Sequence, residues 1–184
     1  DMYLSSKKEG TIYDHCIRAI EKSLNFGQNG LPKIGSGDWN DGFSTVGNKA
    51  KGESIWLGFF LYSILDRFIE IIEKREEKEK IEAQYMQNIQ AKNQEQDQKT
   101  EQKQYKKELK SQKYIQIKNE LKKSLNTNGW DGRWYKRAYM DDGNILGSMQ
   151  NDECRIDSIA QSWSIISKAG DNDKKYISME SLEN

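Results

Sequence analysis

The sequence predicts a mainly α-helical protein with long loops, and three segments carry this prediction. Thr11 and Asp14 have the spacing of a capping box, and apolar residues follow them at helical intervals. Residues 54–72, SIWLGFFLYSILDRFIEII, are apolar on almost every side, which is typical of a helix surrounded by other helices. Residues 156–166 repeat apolar side chains at helical spacing, and Gly170 then marks a C-terminal cap. We therefore expect helices that pack against one another and are joined by polar loops.

Residues 129–144, GWDGRWYKRAYMDDGN, have a different pattern. Aromatic and other β-forming residues are interrupted by Asp-Gly pairs, which favour the tight turns of β-hairpins. We expect a small β-hairpin here, between helices.

The middle of the chain is strongly polar. Residues 73–123 are nearly all Lys, Glu, Gln and Asn, and their few apolar positions cannot form a continuous buried stripe. The signs of the charges alternate, which is typical of a solvated helix or a disordered loop, and the absence of apolar heptads disfavours a coiled coil. We interpret residues 76–112 as a polar, low-complexity insertion, helical or disordered, between two packed helices.

Composition limits the classes of function. Lys plus Arg and Asp plus Glu both number 29, so the sequence gives no reason to expect a nucleic-acid partner. One histidine, His15, and two distant cysteines, Cys16 and Cys154, cannot build a metal cluster, and the cysteines suit free thiols. No apolar run is long enough to span a bilayer and no secretory signal is visible, so a cytoplasmic location is expected. The first residues, Asp1-Met2, and the final helical pattern suggest a segment of a larger protein.

Polar and aromatic residues gather in the loops between the predicted helices. Flat aromatic faces, carboxylates and amides suit the C–H faces and hydroxyls of sugars, and loops at helix ends commonly carry sites. The candidates are Asp38, Trp39, Asn40, Asp41, Lys51 and Glu53 in the first loop, Trp130, Asp131, Arg133, Trp134, Arg137, Asp141 and Asp142 in the second, and Asn151, Glu153, Arg155, Asp157 and Gln161 in the third. Each group also has a structural interpretation: Asn-Asp-Gly and Asp-Gly are strong turn sequences, and the tryptophans suit packing equally well.

Two long blocks of the sequence resemble one known family. Residues 30–62, GLPKIGSGDWNDGFSTVGNKAKGESIWLGFFLY, resemble the catalytic segment of glycoside hydrolase family 94. Residues 128–171, NGWDGRWYKRAYMDDGNILGSMQNDECRIDSIAQSWSIISKAGD, are most similar to its 1,2-β-glucan branch. The family contains phosphorylases of cellobiose, chitobiose and 1,2-β-oligoglucans, and the phosphorylase-like domain of cyclic β-1,2-glucan synthases. The resemblance implies that residues 1–184 are part of an (α/α)₆ barrel with its site among the loops at one end.

The resemblance also implies a reaction and its participants. The family carries out reversible, inverting phosphorolysis of β-glucosidic bonds, without a cofactor and with inorganic phosphate as co-substrate, and releases α-glucose 1-phosphate. By the match of the Trp-Asn-Asp motif, Asp41 would be the general acid and Trp39 would line the pocket for the glucose that is cleaved off. Asp38 would orient the loop or bind hydroxyls. The further substrate-binding candidates are Asn40, Glu53, Arg137, Glu153 and Gln161.

The expected partners are a β-gluco-oligosaccharide, phosphate and the remainder of the catalytic domain, without direct membrane contact from this segment. Two alternatives remain open. One is an inverting hydrolase of the same barrel type, with Glu153 or Asp157 as the base. The other is an inactive carbohydrate-binding remnant.

Overall fold

The computed structural model describes residues 9–35, 37–38, 41–93 and 109–183, and it is mainly helical with one small sheet. The expected fold class, mainly α with a small hairpin, is confirmed. In chain order the elements are α1 (Ile12–Ser23), a 3₁₀ helix (Asp41–Thr45), β1 (Glu53–Ser54), α2 (Ile55–Asn93), α3 (Lys110–Thr127), β2 (Ala138–Tyr139), β3 (Ile145–Leu146), α4 (Ser158–Ile166) and α5 (Asn172–Glu183). Within the described ranges, no helix combines the length and the apolarity needed to cross a membrane.

Helix α1 begins with the capping box that the sequence predicts. The Thr11 hydroxyl accepts from the Asp14 backbone N–H at 3.2 Å, and the Asp14 carboxylate accepts from the Thr11 N–H at 2.9 Å. These two bonds satisfy N–H groups that have no partner within the helix. The helix buries Ile20 and stacks Tyr13 on Phe68 of α2, with ring centroids 5.7 Å apart.

Helix α2 supplies more of the core than any other described element and extends well beyond its predicted end at residue 72. Up to Ile72 it buries Ile55, Phe59 and Leu65. It then continues to Asn93, with the side chains of residues 77–89 exposed. The predicted end is wrong because Lys, Glu, Gln and Ala are strong helix formers that need no buried face. Ion pairs one turn apart, such as Arg75–Glu79 at 3.3 Å, add a little stability.

Helix α3 runs antiparallel to α2 and closes the same core. Its first turn meets Glu76, whose carboxylate accepts from the Ser111 N–H at 3.2 Å and from the Ser111 hydroxyl at 2.6 Å. Further along, Lys118 pairs with Asp66 of α2 at 2.8 Å, and Leu125 is fully buried. Leu109 at the N-cap of α3 offers no capping side chain, so Glu76 takes that role from the neighbouring helix.

The three strands form one antiparallel sheet in the order β1–β2–β3. Strands β2 and β3 are the expected hairpin, and their turn contains Gly143 at φ 89°. The third strand was not predicted: β1 pairs with β2 through Glu53 opposite Tyr139 and Ser54 opposite Ala138. This pairing brings the loop before α2 beside the second polar loop, although about 85 residues separate them in the sequence.

Candidate functional site

The loop that contains the Asp-Trp-Asn-Asp sequence precedes strand β1 in the chain. Trp39 and Asn40 lie outside the described residues, so their predicted contacts with sugar stay predictions. Asp41 is described in its backbone, where it begins the short 3₁₀ helix Asp41–Thr45. The predicted role of Asp41 as general acid therefore also stays a prediction. The neighbouring Asp38 is described in full and shows how the loop is held.

Asp38 forms a buried, two-pronged ion pair with Arg137. The Arg137 Nη1 donates to Asp38 Oδ2 at 2.8 Å, and Nη2 donates to Oδ1 at 2.9 Å. The two side chains are 0% and 2% exposed, respectively. The planar guanidinium matches the two oxygens of a carboxylate, so this pair fixes an angle as well as a distance. It joins the first candidate loop to the residue just before β2.

Ser54 connects this ion pair to the start of α2. Its hydroxyl donates to Asp38 Oδ2 at 2.9 Å and accepts from Arg137 Nη1 at 3.2 Å. It also accepts from the backbone N–H of Leu57 at 3.1 Å, as the capping residue of a helix does. A serine hydroxyl has one donor and two acceptor positions, and all three are used here. Ser54 is not among the candidates predicted from the sequence, although a serine directly before an apolar helix is a capping signal.

Arg137 makes two further contacts that extend the cluster. Its guanidinium carbon lies 4.4 Å from the centroid of the Phe43 ring, which is a cation–π arrangement. Its Nε lies 3.3 Å from Asp157 Oδ2 as an ion pair. Asp157 also caps α4, since its Oδ1 accepts from the Ile159 N–H at 2.8 Å. Arg137 therefore ties together all three of the predicted candidate loops.

The far end of the first loop is held by Asp141. Its carboxylate accepts from the backbone N–H groups of Lys49, Lys51 and Gly52 at 2.7, 2.9 and 2.9 Å. Desolvation acts to raise the pKa of Asp141, but the three backbone donors outweigh it and lower that pKa below its usual value. Asp141 was selected as a sugar-binding candidate, and in this structure its oxygens bind the loop.

Glu53 lies on the opposite side of β1 from Ser54, because successive strand residues point to opposite faces. It is 1% exposed, and its carboxylate accepts from the Asn29 N–H at 3.0 and 3.3 Å. Burial raises the pKa of Glu53, and its hydrogen bonds to Asn29 oppose this only in part. An open cleft of about 400 Å³ lies on this side and is lined by Asn29, Lys33 and Lys51 among others. The predicted contact of Glu53 with substrate stays a prediction, and its carboxylate is covered here.

The remaining candidates are spread between the core and the surface. Gln161 is fully buried: its Oε1 accepts from the Tyr135 N–H at 2.8 Å, and its Nε2 donates to the Tyr135 carbonyl at 2.7 Å. These bonds fix α4 to the segment that precedes Arg137, so Gln161 supports the site from behind. Glu153 is exposed in the loop before α4. Among the described residues, no group of three or more His, Cys, Asp or Glu side chains could hold a metal ion.

Comparison with known proteins identifies the family of this chain. The model of the glycosyl hydrolase 94 superfamily, catalytic domain, matches residues 2–101 and 95–184. The cyclic beta-(1,2)-glucan synthase NdvB of Rhizobium meliloti (strain 1021) is 37% identical over 174 residues, which are 94% of this chain and 5% of that protein. The solabiose phosphorylase of Paenibacillus borealis is 25% identical over 176 residues, which are 95% of this chain and 19% of that protein. The N,N'-diacetylchitobiose phosphorylase of Vibrio furnissii is 24% identical over 164 residues, which are 88% of this chain and 16% of that protein.

The chain thus spans less than a fifth of the length of these curated relatives. The two family matches together cover nearly the whole chain and overlap inside the polar segment. The mainly helical fold with one small sheet is consistent with part of an (α/α)₆ barrel. The chain therefore belongs to the glycosyl hydrolase 94 superfamily and carries part of its catalytic domain.

Proposed function

We propose that this chain carries the acid-catalyst loop of a domain that performs inverting phosphorolysis of β-glucosides and releases α-glucose 1-phosphate. The family and its phosphorylase relatives support glycosyl-transfer chemistry in general, with an oligosaccharide and phosphate as substrates and no cofactor. We propose β-1,2-linked glucans as the substrate class, because the relative at 37% identity is a cyclic beta-(1,2)-glucan synthase.

One observation carries the assignment of the acid. A proton donor must hold a proton at working pH, and a carboxylate paired with a guanidinium is held as an anion. Asp38 accepts two hydrogen bonds from Arg137 and one from Ser54, and its side chain is fully buried. Asp38 is thus unsuited to donate a proton, and of the two carboxylates in the motif the acid role falls to Asp41.

A single acid is sufficient for phosphorolysis. An inverting hydrolase needs a second carboxylate, roughly 6.5–9.5 Å from the acid, to activate water, whereas phosphate is already an anionic nucleophile. Asp157, one of the two candidates for such a base, uses one oxygen to cap α4, and its other oxygen lies 3.3 Å from Arg137 Nε. This engagement argues against Asp157 as the base of a hydrolase and leaves Glu153 as the remaining candidate.

The test is the reaction of the full-length protein with a β-1,2-gluco-oligosaccharide. Phosphate-dependent formation of α-glucose 1-phosphate, followed by ³¹P NMR, is expected, and release of free glucose alone would instead identify a hydrolase. Asp41→Asn keeps the size of the side chain but removes the transferable proton, so cleavage should fall by about 10²–10⁴-fold.

An aryl β-glucoside with an activated leaving group should restore cleavage by Asp41→Asn, since that leaving group departs without protonation. Asp152→Asn is the matched control: it makes the same chemical change at an exposed position and should leave the rate unchanged. Undiminished activity of Asp41→Asn would remove Asp41 from the mechanism.

A further inference from the structure

Asp38, Phe43, Ser54 and Arg137 form one connected cluster, which we call the clamp. We infer that the clamp positions residue 41 for proton transfer, and that Asp38 and Arg137 are positioning residues and not ligands of the sugar. This inference rests on the proposed role of Asp41 as the acid.

Within the clamp, the carboxylate of Asp38 and the hydroxyl of Ser54 are already engaged. Both oxygens of Asp38 accept from Arg137, and the Ser54 hydroxyl uses its donor and both acceptor positions. The ion pair is closed to solvent. The Asp38 side chain has no exposed surface, so a sugar hydroxyl could reach it only if its neighbours moved. Displacing the guanidinium would leave a buried charge without its partner.

Arg137 contacts the chain on both sides of residue 41. It holds Asp38, three residues before, by two hydrogen bonds, and it lies 4.4 Å from the ring of Phe43, two residues after. The backbone of residue 41 is therefore attached to held positions three residues before it and two residues after it. The 3₁₀ helix that begins at Asp41 restricts it further.

The clamp is hydrogen-bonded to regular secondary structure. Ser54 caps the first turn of α2, and the backbone of Arg137 is bonded to β3 and to the start of α2: its N–H donates to the Leu146 carbonyl at 2.8 Å, and its carbonyl accepts from the Ile55 N–H at 3.3 Å. A catalytic group that is displaced by about 1 Å can lose 10²-fold in rate, so a positioning device of this kind has a measurable effect.

Kinetics of the full-length protein on two substrates separate positioning from binding. For Asp38→Asn, we expect kcat on a β-1,2-gluco-oligosaccharide to fall about 10²-fold with little change in KM. With an activated aryl β-glucoside, which needs no proton, the same variant should keep most of its kcat. Arg137→Lys keeps the charge but loses the two-pronged geometry, and it should show the same dependence on the leaving group.

Two other variants provide a milder change within the clamp and a control away from it. Phe43→Leu keeps an apolar side chain but removes the cation–π contact; it leaves the ion pair in place and should show a smaller loss with the same leaving-group dependence. Asp66→Asn removes the ion pair between Asp66 of α2 and Lys118 of α3, neither of which belongs to the clamp, and should leave both rates unchanged. Circular dichroism and the thermal midpoint establish that each variant is folded.

A rise in KM on both substrates would assign Asp38 to sugar binding and overturn the inference. An equal loss of kcat on both substrates in the folded variants would show a general structural role and overturn it as well. The leaving-group signature can be read whether the wild-type protein releases glucose 1-phosphate or free glucose. A failure of the phosphorolysis proposal is therefore distinguishable from a failure of the clamp.

Discussion

Gly27 packs so closely against Glu53 that replacing it with alanine should loosen the turn that leads into the loop of Asp38 and Asp41. A Cβ atom at residue 27 would lie 1.7 Å from Glu53 Oε1, half of the 3.4 Å at which ordinary contact begins. The φ angle of Gly27 is not in the left-handed region, so crowding is the only obstacle to alanine. Glu53 is fully buried and cannot swing into solvent, so it must give up its bonds to the Asn29 N–H.

The size of the effect follows from two contributions. The loss of a hydrogen bond to a charged group costs about 1.5–3 kcal/mol, and overpacking of a tight site costs about 1–3 kcal/mol. The two overlap, because the retreat of Glu53 that relieves the crowding is what breaks the bonds. We therefore expect the local free energy of opening to fall by about 3 kcal/mol, which corresponds to roughly 100-fold faster exchange of the local amides.

Hydrogen exchange measured by mass spectrometry can test this in the full-length protein. The amides to follow are those of Gly27 and Lys33, which donate to the carbonyls of Leu31 and Asn25 at 2.9 Å each. Gly10→Ala is the control, since its Cβ would meet little more than the flexible end of Arg18.

A second substitution distinguishes crowding from charge. In a Glu53→Ala background, which removes all three crowding atoms, Gly27→Ala should add little further exchange. In a Glu53→Gln background, which keeps the length, it should still accelerate exchange. Unchanged exchange in Gly27→Ala, or an equal further effect in the two backgrounds, would refute the reasoning.

Two further predictions concern the loop and the polar segment. Because folding lowers the pKa of Asp141, its carboxylate stabilises the loop at pH values above 3.8, the ordinary pKa of the group, and this stabilisation is lost as the pH falls through the folded pKa. Hydrogen exchange of amides 49–52 should show that loss in the wild-type protein, while the same amides in Asp141→Asn should exchange fast at every pH. Replacing residues 79–108 with a short glycine-rich linker should leave the thermal midpoint and the cleavage rate nearly unchanged. The reason is that the contact of Glu76 with Ser111 already joins α2 to α3, and the entropy of loop closure depends weakly on loop length. A folded but inactive product would contradict our proposal that residues 76–112 are an insertion.

The sequence could predict the features that depend on neighbouring residues. The capping box at Thr11 and the turn at Gly143 are local, because each is decided by residues within a few positions. The buried first half of α2 was also visible, since its apolar residues cover every side. The extension of α2 to Asn93 was not, because an exposed helix and a polar loop have similar compositions.

The sequence predicts which types of residue form the candidate site, but it does not predict which of these residues contact one another. Asp38 and Arg137 were both selected, yet they lie 99 positions apart, and nothing local indicates that they meet. Asp141 was selected for its carboxylate, and its three backbone donors come from about 90 positions earlier in the chain. Long-range pairs of this kind depend on how the sheet brings the two loops together.

Strand β1 is only two residues long, yet each of its residues holds a different loop. Glu53 binds the turn at Asn29 on one side of the strand, and Ser54 binds Asp38 and Arg137 on the other. A shift of one residue along a strand exchanges its two faces. Gain or loss of a single residue in β1 would thus direct each side chain to the wrong loop. In evolutionary terms, this part of the chain should accept substitutions far more readily than changes of length, and differences in length among homologues should collect beyond Glu76.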